Sequence, residues 1–174
     1  MCNKSKSKII KNLEELKSIV ESLKAKGYRI VFTNGCFDLL HIGHLRTLQK
    51  AKSLGDILIV GVNSDSSVRQ IKGGGRPIIP ENERAEIIAS LECVDYVVIF
   101  SELDPIKLIK TIKPDVHVKG GDYDIDKLPE AEIVKSYGGE IVLTDIVADH
   151  STTKIIEQII KKFCENGESD EGTD

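Results

Sequence analysis

A mostly parallel, three-layer α/β sheet of five strands is the fold class this sequence predicts. Five short segments dense in Val and Ile suggest strands covered on both faces, and helical periodicities fill the intervals between them. A chain of 174 residues has room for one hydrophobic core and little room for a second.

Residues 1–11 read as a basic lead-in, and "NLEELKSIVESLKAKG" as a helix, because Leu13, Leu16, Val20 and Leu23 recur at helical spacing. Asn12 caps it with Glu15 in the capping-box position, and Gly27 ends it. The strands are "YRIVFT" (28–33), "DILIVGV" (56–62), "VDYVVIF" (94–100), "DVHVKG" (115–120) and "EIVLTDI" (140–146). Helices are expected at about 41–54, 81–91, 104–112, 129–137 and 151–164, with Pro80 and Pro105 in first turns, where a missing N–H matters little. The N-terminal helix either covers an interface or packs on its own sheet. The organisation predicted is a lead-in and helix over 1–27, a main domain over 28–164, and a disordered acidic tail over 165–174, since "ENGESDEGTD" has five acids and no apolar side chain.

A formal net charge of −4 carries no basic excess, which argues against a general nucleic-acid binder. The four cysteines are scattered without CxxC spacing, as expected in a reducing cytoplasm, and Cys36 and Cys93 read as buried thiols. No apolar run approaches the roughly 18 residues of a membrane helix, and the lysine-rich start lacks a signal-peptide core. A cytoplasmic protein without membrane insertion is the expectation.

Ligands of open α/β sheets gather at the carboxyl ends of the strands. The first strand is expected to end at Thr33, so "NGCFDLLHIGH" lies on that edge, with Asn34-Gly35 forming a tight turn whose N–H groups face an anion. His41 and His44, three apart, share one face of a helical turn, and Gly43 between them admits a ligand close to the backbone. Three readings of the pair stand: surface or structural residues, a zinc site short of ligands, or a polyphosphate site using the imidazoles and a helix N-terminus. GxGxxG after the first strand and GxxxxGK[ST] are both absent. "KGGGRP" is either a plain surface loop or a mobile flap carrying Lys72 and Arg76. In "HSTTKII", Ser151 or Thr152 caps the last helix, with or without an anion at its N–H groups. "GGDY" is either a turn with an aromatic, or a place where Gly120 and Gly121 admit a base, Asp122 accepts a hydrogen bond and Tyr123 covers the rim.

"GCFDLLHIGH" and "STTKII" together resemble the HxGH nucleotidyltransferase superfamily in its cytidylyltransferase-like branch, from about Arg29 to Ile160. "VNSDSSVRQIKGGGRPIIPENERAEIIASLECVDYVVIF" and "DPIKLIKTIKPDVHVKGGDY" are similar to its adenylyltransferases acting on D-glycero-β-D-manno-heptose 1-phosphate. The resemblance implies a Rossmann-like nucleotidyltransferase fold. It makes His41 and His44 the catalytic histidines on the triphosphate and Lys72 a catalytic and substrate-binding residue beside Arg76. It places Thr33, Asn34, Gly35, Cys36, Phe37, Asp38, Gly43, Arg84, Lys119, Gly120, Gly121, Asp122, Tyr123, Ser151, Thr152 and Thr153 around the nucleotide. ATP is the implied nucleotide substrate, Mg²⁺ the implied metal without a protein cage, a sugar phosphate the acceptor, and a homodimer the assembly. Cytidylyltransferases of the branch carry "RTxGxST", whereas this chain reads "VADHSTT", with Ala148 and Asp149 but no arginine, and with His150 where a small residue is usual; that weakens CTP. The other readings are a CTP enzyme for glycerol 3-phosphate or phosphoethanolamine, an FAD-forming adenylyltransferase, a nucleotide sensor without catalysis, and an α/β interaction module that binds no ATP.

Overall fold

The computed structural model describes residues 5–121, 124–144 and 151–164. Among these, six strands form one parallel sheet: β1 (Ile9–Ile10), β2 (Ile30–Gly35), β3 (Ile57–Asn63), β4 (Tyr96–Phe100), β5 (Val116–Gly120) and β6 (Glu140–Thr144). The helices are α1 (Leu13–Ala25), α2 (Ile42–Lys52), α3 (Asp65–Lys72), α4 (Glu81–Ala89), α5 (Ile106–Ile112), α6 (Ala131–Ser136) and α7 (Thr152–Phe163). Capping at α1 follows its sequence. The Asn12 side chain accepts from the Glu15 N–H, and the Glu15 carboxylate accepts from the Lys11 N–H. At the other end Gly27 turns left-handed (φ +80°), while Tyr28 N–H bonds Leu23 O and Gly27 N–H bonds Lys24 O.

The strand order is β1-β4-β3-β2-β5-β6, every neighbouring pair parallel. One face packs Val31, Val60, Val62, Val97, Val116 and Val118 against Leu48 and Ala51 of α2 and Ala85, Ile88 and Ala89 of α4. The other packs Ile30, Phe32, Ile59, Val98 and Phe100 against α1, α5 and α6 through Leu16, Val20, Leu108, Ile109, Ile112 and Val134. Of the two roles open to α1, packing on its own sheet is the one seen. Because side chains alternate along each strand, two apolar sets from one run of residues bury both faces.

Order reverses at β2. The chain runs from β2 outward through β3 to β4, then α5 crosses back and β5 pairs on the other side of β2, with Thr33 opposite Val118. Thr33 Oγ1 donates to Val118 O at 2.8 Å and ties the two strands at this switch point.

Three expectations change. The sheet has six strands, not five, because Ile9 and Ile10 inside the supposed lead-in pair with Val97 and Val98, too short a pairing to show a period. Lys8 there donates to the carbonyls of Leu91 and Val94, so a basic residue read as solvated fastens the edge. The first strand runs on to Gly35, since Asn34 pairs with Gly61 and Gly35 with Val62 on the longer β3; Asn34-Gly35 is strand, not turn. Third, α3 adds a helix where none was expected, just ahead of the "KGGGRP" loop. Ser64 caps it by accepting from the Ser67 N–H, and Gly73 closes it at φ +96°.

Candidate active site

The chain turns after β2 at Phe37, a non-glycine residue in left-handed backbone (φ +47°). A Cβ on Gly35 would stand 3.1 Å from the Phe37 ring, so glycine there lets the aromatic fold back on the strand end. Phe37 in turn meets His44, ring centroids 5.2 Å apart, and His44 stacks on His41 at 3.9 Å. His41 is the N-cap of α2 and makes no side-chain cap bond. Ser, Thr, Asp or Asn would normally fill this position, so the first N–H groups of α2 lack the usual internal acceptor and favour an anion. Gly43, between the two histidines in sequence, is half-buried.

Burial, followed by the neighbouring His41, pushes the His44 pKa down to about 4. Its Nδ1 is buried with no hydrogen-bond partner among the described residues. At neutral pH this is an uncharged ring, able to donate one N–H, and negative phosphate beside it would favour its proton.

Helix α7 brings the second segment to the first. Ser151 caps α7 by accepting from the Lys154 N–H, and Thr152 Oγ1 donates to Leu39 O at 3.3 Å, two residues before His41. Thr153 is exposed one residue on. Thr47 of α2 and Thr144 at the end of β6 meet through their hydroxyls at 3.3 Å. A Cβ on Gly120 would lie 3.0 Å from Thr47 Oγ1, so this strand end tolerates little more than glycine. Gly121 N–H bonds Thr144 O. Asp122, Tyr123, Ala148, Asp149 and His150 lie outside the described residues, as does the acidic tail.

The basic residues gather around Cys36. Burial raises its thiol pKa, while Lys72, Arg84 and Arg76 pull it down in that order, which places all three charges near it. Lys72 is exposed at the last turn of α3. Arg76 is not on a loose flap: its Nε pairs with Asp38, which also accepts from the N–H groups of Ile78 and Ile79. Asp38 is 1% exposed, so this member of the signature anchors the loop. Arg84, 0% exposed, donates to Ile79 O, Cys36 O and Asp65 Oδ1 and ties loop, strand end and α3 together. Cys36 and Cys93 are half-buried free thiols.

On the opposite face Lys119 donates to Glu130 Oε1 at 2.9 Å and to Asn34 Oδ1 at 3.3 Å. Glu130 and His117, both buried, stand behind it. Sequence reasoning missed both. Glu130 sits in "LPEAE", indistinguishable from a solvated helix start, and His117 is a lone histidine in an apolar strand. Thr47 and Thr144 carried no motif either.

Among the described residues no group of three or more His, Cys, Asp or Glu side chains is placed to hold a metal ion. Asp38, the carboxylate within the signature, already accepts three donors. These residues do not fit a protein-held Mg²⁺. No helix among the described residues is long and apolar enough to cross a membrane.

A profile of the cytidylyltransferase-like family matches residues 32–158. The bifunctional protein HldE of Geobacter metallireducens is 56% identical over 156 residues, covering 90% of this chain and 32% of that protein. The chain thus spans about a third of the length of the curated relatives it matches. Among solved structures, the lipopolysaccharide core biosynthesis protein from Thermoplasma volcanium aligns with a TM-score of 0.56 at 35% identity, over 69% of this chain and 97% of that one. Pantoate-β-alanine ligase from Francisella tularensis aligns with a TM-score of 0.56 over 90% of this chain and 78% of its own; at 19% identity this is a likeness of fold alone.

Proposed function

The chain belongs to the cytidylyltransferase-like family, and on that premise we propose that it transfers AMP from ATP to D-glycero-β-D-manno-heptose 1-phosphate, releasing ADP-heptose and pyrophosphate. The observation that carries this reading is the bond from Thr152 Oγ1 to Leu39 O, which sets the cap of α7 beside the histidines at the mouth of α2. On this reading two helix N-termini, two imidazoles, Lys72 and Arg76 act together on one chain of phosphates.

The reaction is in-line. An oxygen of the sugar phosphate bonds to the α-phosphorus as the bond from that phosphorus to the bridging oxygen of pyrophosphate breaks. The attacking group is already ionised near neutral pH, its second pKa being about 6, so no general base is assigned. What must be overcome is repulsion between two anions and the charge on the departing pyrophosphate. His44 meets that charge as a neutral N–H donor backed by the stacked His41, with the α2 N-terminus beside them. Lys72 contributes charge from the rim, and Arg76, fixed by Asp38, orients the sugar phosphate. The Ser151 hydroxyl already accepts from Lys154 N–H, so its share is to hold the α7 N-terminus open to phosphate. Mg²⁺, where present, would be held by the phosphates of ATP and would lower their charge.

A surface-glycan role accords with the similarity to the lipopolysaccharide core biosynthesis protein of Thermoplasma volcanium. The homodimer remains part of the proposal, to be read by sedimentation at twice 19.2 kDa. The deciding experiment incubates the protein with ATP or CTP against heptose 1-phosphate, glycerol 3-phosphate, phosphoethanolamine and FMN, and identifies the product. ADP-heptose with stoichiometric pyrophosphate is expected. A CDP-alcohol or FAD would move the chain elsewhere in its family, and ATP binding without pyrophosphate would make it a sensor.

A further inference from the structure

Lys119, partly buried, and the buried Glu130 and His117 form a polar chain that the transfer chemistry above leaves unused. His117 and Lys119, two apart on β5, share a face of the sheet. His117 lies flat on Phe32, ring centroids 5.4 Å apart, and its Nε2 is 3.3 Å from Glu130 Oε1. The same oxygen accepts from Lys119 at 2.9 Å, and Lys119 reaches Asn34 Oδ1 at 3.3 Å. A carboxylate only accepts, so Nε2 carries the hydrogen. Asn34 and Lys119 are the next-to-last residues of β2 and β5, so their contact bridges the two strands at the switch point.

We propose that Glu130 is a positioning residue for the nucleotide site, holding the Lys119 ammonium at the gap between β2 and β5 while His117 fixes the carboxylate from behind. This rests on the nucleotide reading of that gap.

Three observations support a role beyond fastening α6. That helix is six residues long and already buries Ala131 and Val134, so its attachment has an apolar basis. Burying an ion pair is a poor way to add stability, because desolvation offsets most of the attraction and an apolar replacement often does as well. The pair also stands where ligands of such sheets bind, rather than in the middle of the core. Glu130 remains a firm anion: desolvation alone would raise its pKa, but donation from His117 and Lys119 outweighs this and takes it to about 2. Burial lowers the His117 pKa, so the ring donates as neutral imidazole.

The test is a double-mutant cycle on ATP affinity, measured by calorimetry, with Lys119→Met, Glu130→Gln and the pair. Lys119→Met is expected to weaken ATP binding roughly tenfold or more, as loss of a charge-assisted contact does. Glu130→Gln is expected to weaken it several-fold in the wild-type background and by less than twofold beside Lys119→Met, because Glu130 acts only through Lys119. Independent losses that multiply, or unchanged affinity in Glu130→Gln, would overturn the proposal, since a fastening role alone moves stability rather than this coupling. Should Glu130→Gln fail to fold, Glu130→Asp takes its place in the cycle with a smaller loss and the same coupling. Wild-type protein that binds no ATP would sink the nucleotide reading itself, a different failure.

Discussion

His44 is held uncharged by its surroundings, and this has a consequence for stability. Between about pH 4 and 6.5 the unfolded chain carries a proton on this imidazole that the folded chain lacks. Stability therefore rises with pH across that window and is lost as pH falls toward 4, by on the order of 3 kcal/mol at the lower end. Thermal melts from pH 7 to 4.5 should show His44→Asn losing part of the slope seen in the wild type; an unchanged slope would mean the ring is not desolvated. The histidines were legible because their spacing and the glycine between them are local. Asp38 and Arg84 were legible as members of a motif but not in their task. Only the folded chain brings Asp38 under the N–H groups of Ile78 and Ile79, or Arg84 against Cys36 O. Glu130 and His117 were illegible for the same reason, since they stand thirteen positions apart in sequence.

Helix α2 begins badly as a helix and well as an anion site. A histidine without a side-chain cap bond occupies its N-cap. Asparagine there would accept from the exposed N–H groups, typically worth about 1 kcal/mol. His41→Asn is thus expected to raise the urea midpoint while lowering transfer activity; falls in both would make His41 a structural cap. At α7 the reverse applies, because Ser151 does cap, and Ser151→Ala should cost about 1 kcal/mol in urea unfolding. Most element cores were readable from period and caps, as Asn12, Glu15 and Gly27 illustrate at α1. Helix α3 was overlooked because eight residues with one fully buried apolar side chain, Val68, offer almost no period, although Ser64 and Gly73 marked its ends. The extension of β2 to Gly35 depends on the length of β3, a property of the neighbour rather than of the strand.

Across the whole molecule, alternation of strand and helix was enough to predict a parallel α/β sheet, and the strand order that creates the switch point was not. Order depends on which side of β2 the crossover through α5 returns, and no residue within β5 records that. Arg84 joins the parts made by this topology, linking the end of β2, α3 and the loop that carries Arg76. Arg84→Met would leave Asp65 and two carbonyls without their donor. It is expected to cost about 3 kcal/mol or more in urea unfolding. The central claim is that one volume at the switch point stabilises charge leaving the α-phosphorus of ATP. Single-turnover pyrophosphate release by His44→Ala, set beside its ATP dissociation constant, tests this most directly. The expected result is a rate about 10²–10³-fold below wild type with ATP affinity changed only a few-fold. Equal losses in rate and affinity, or an unchanged rate, would contradict it.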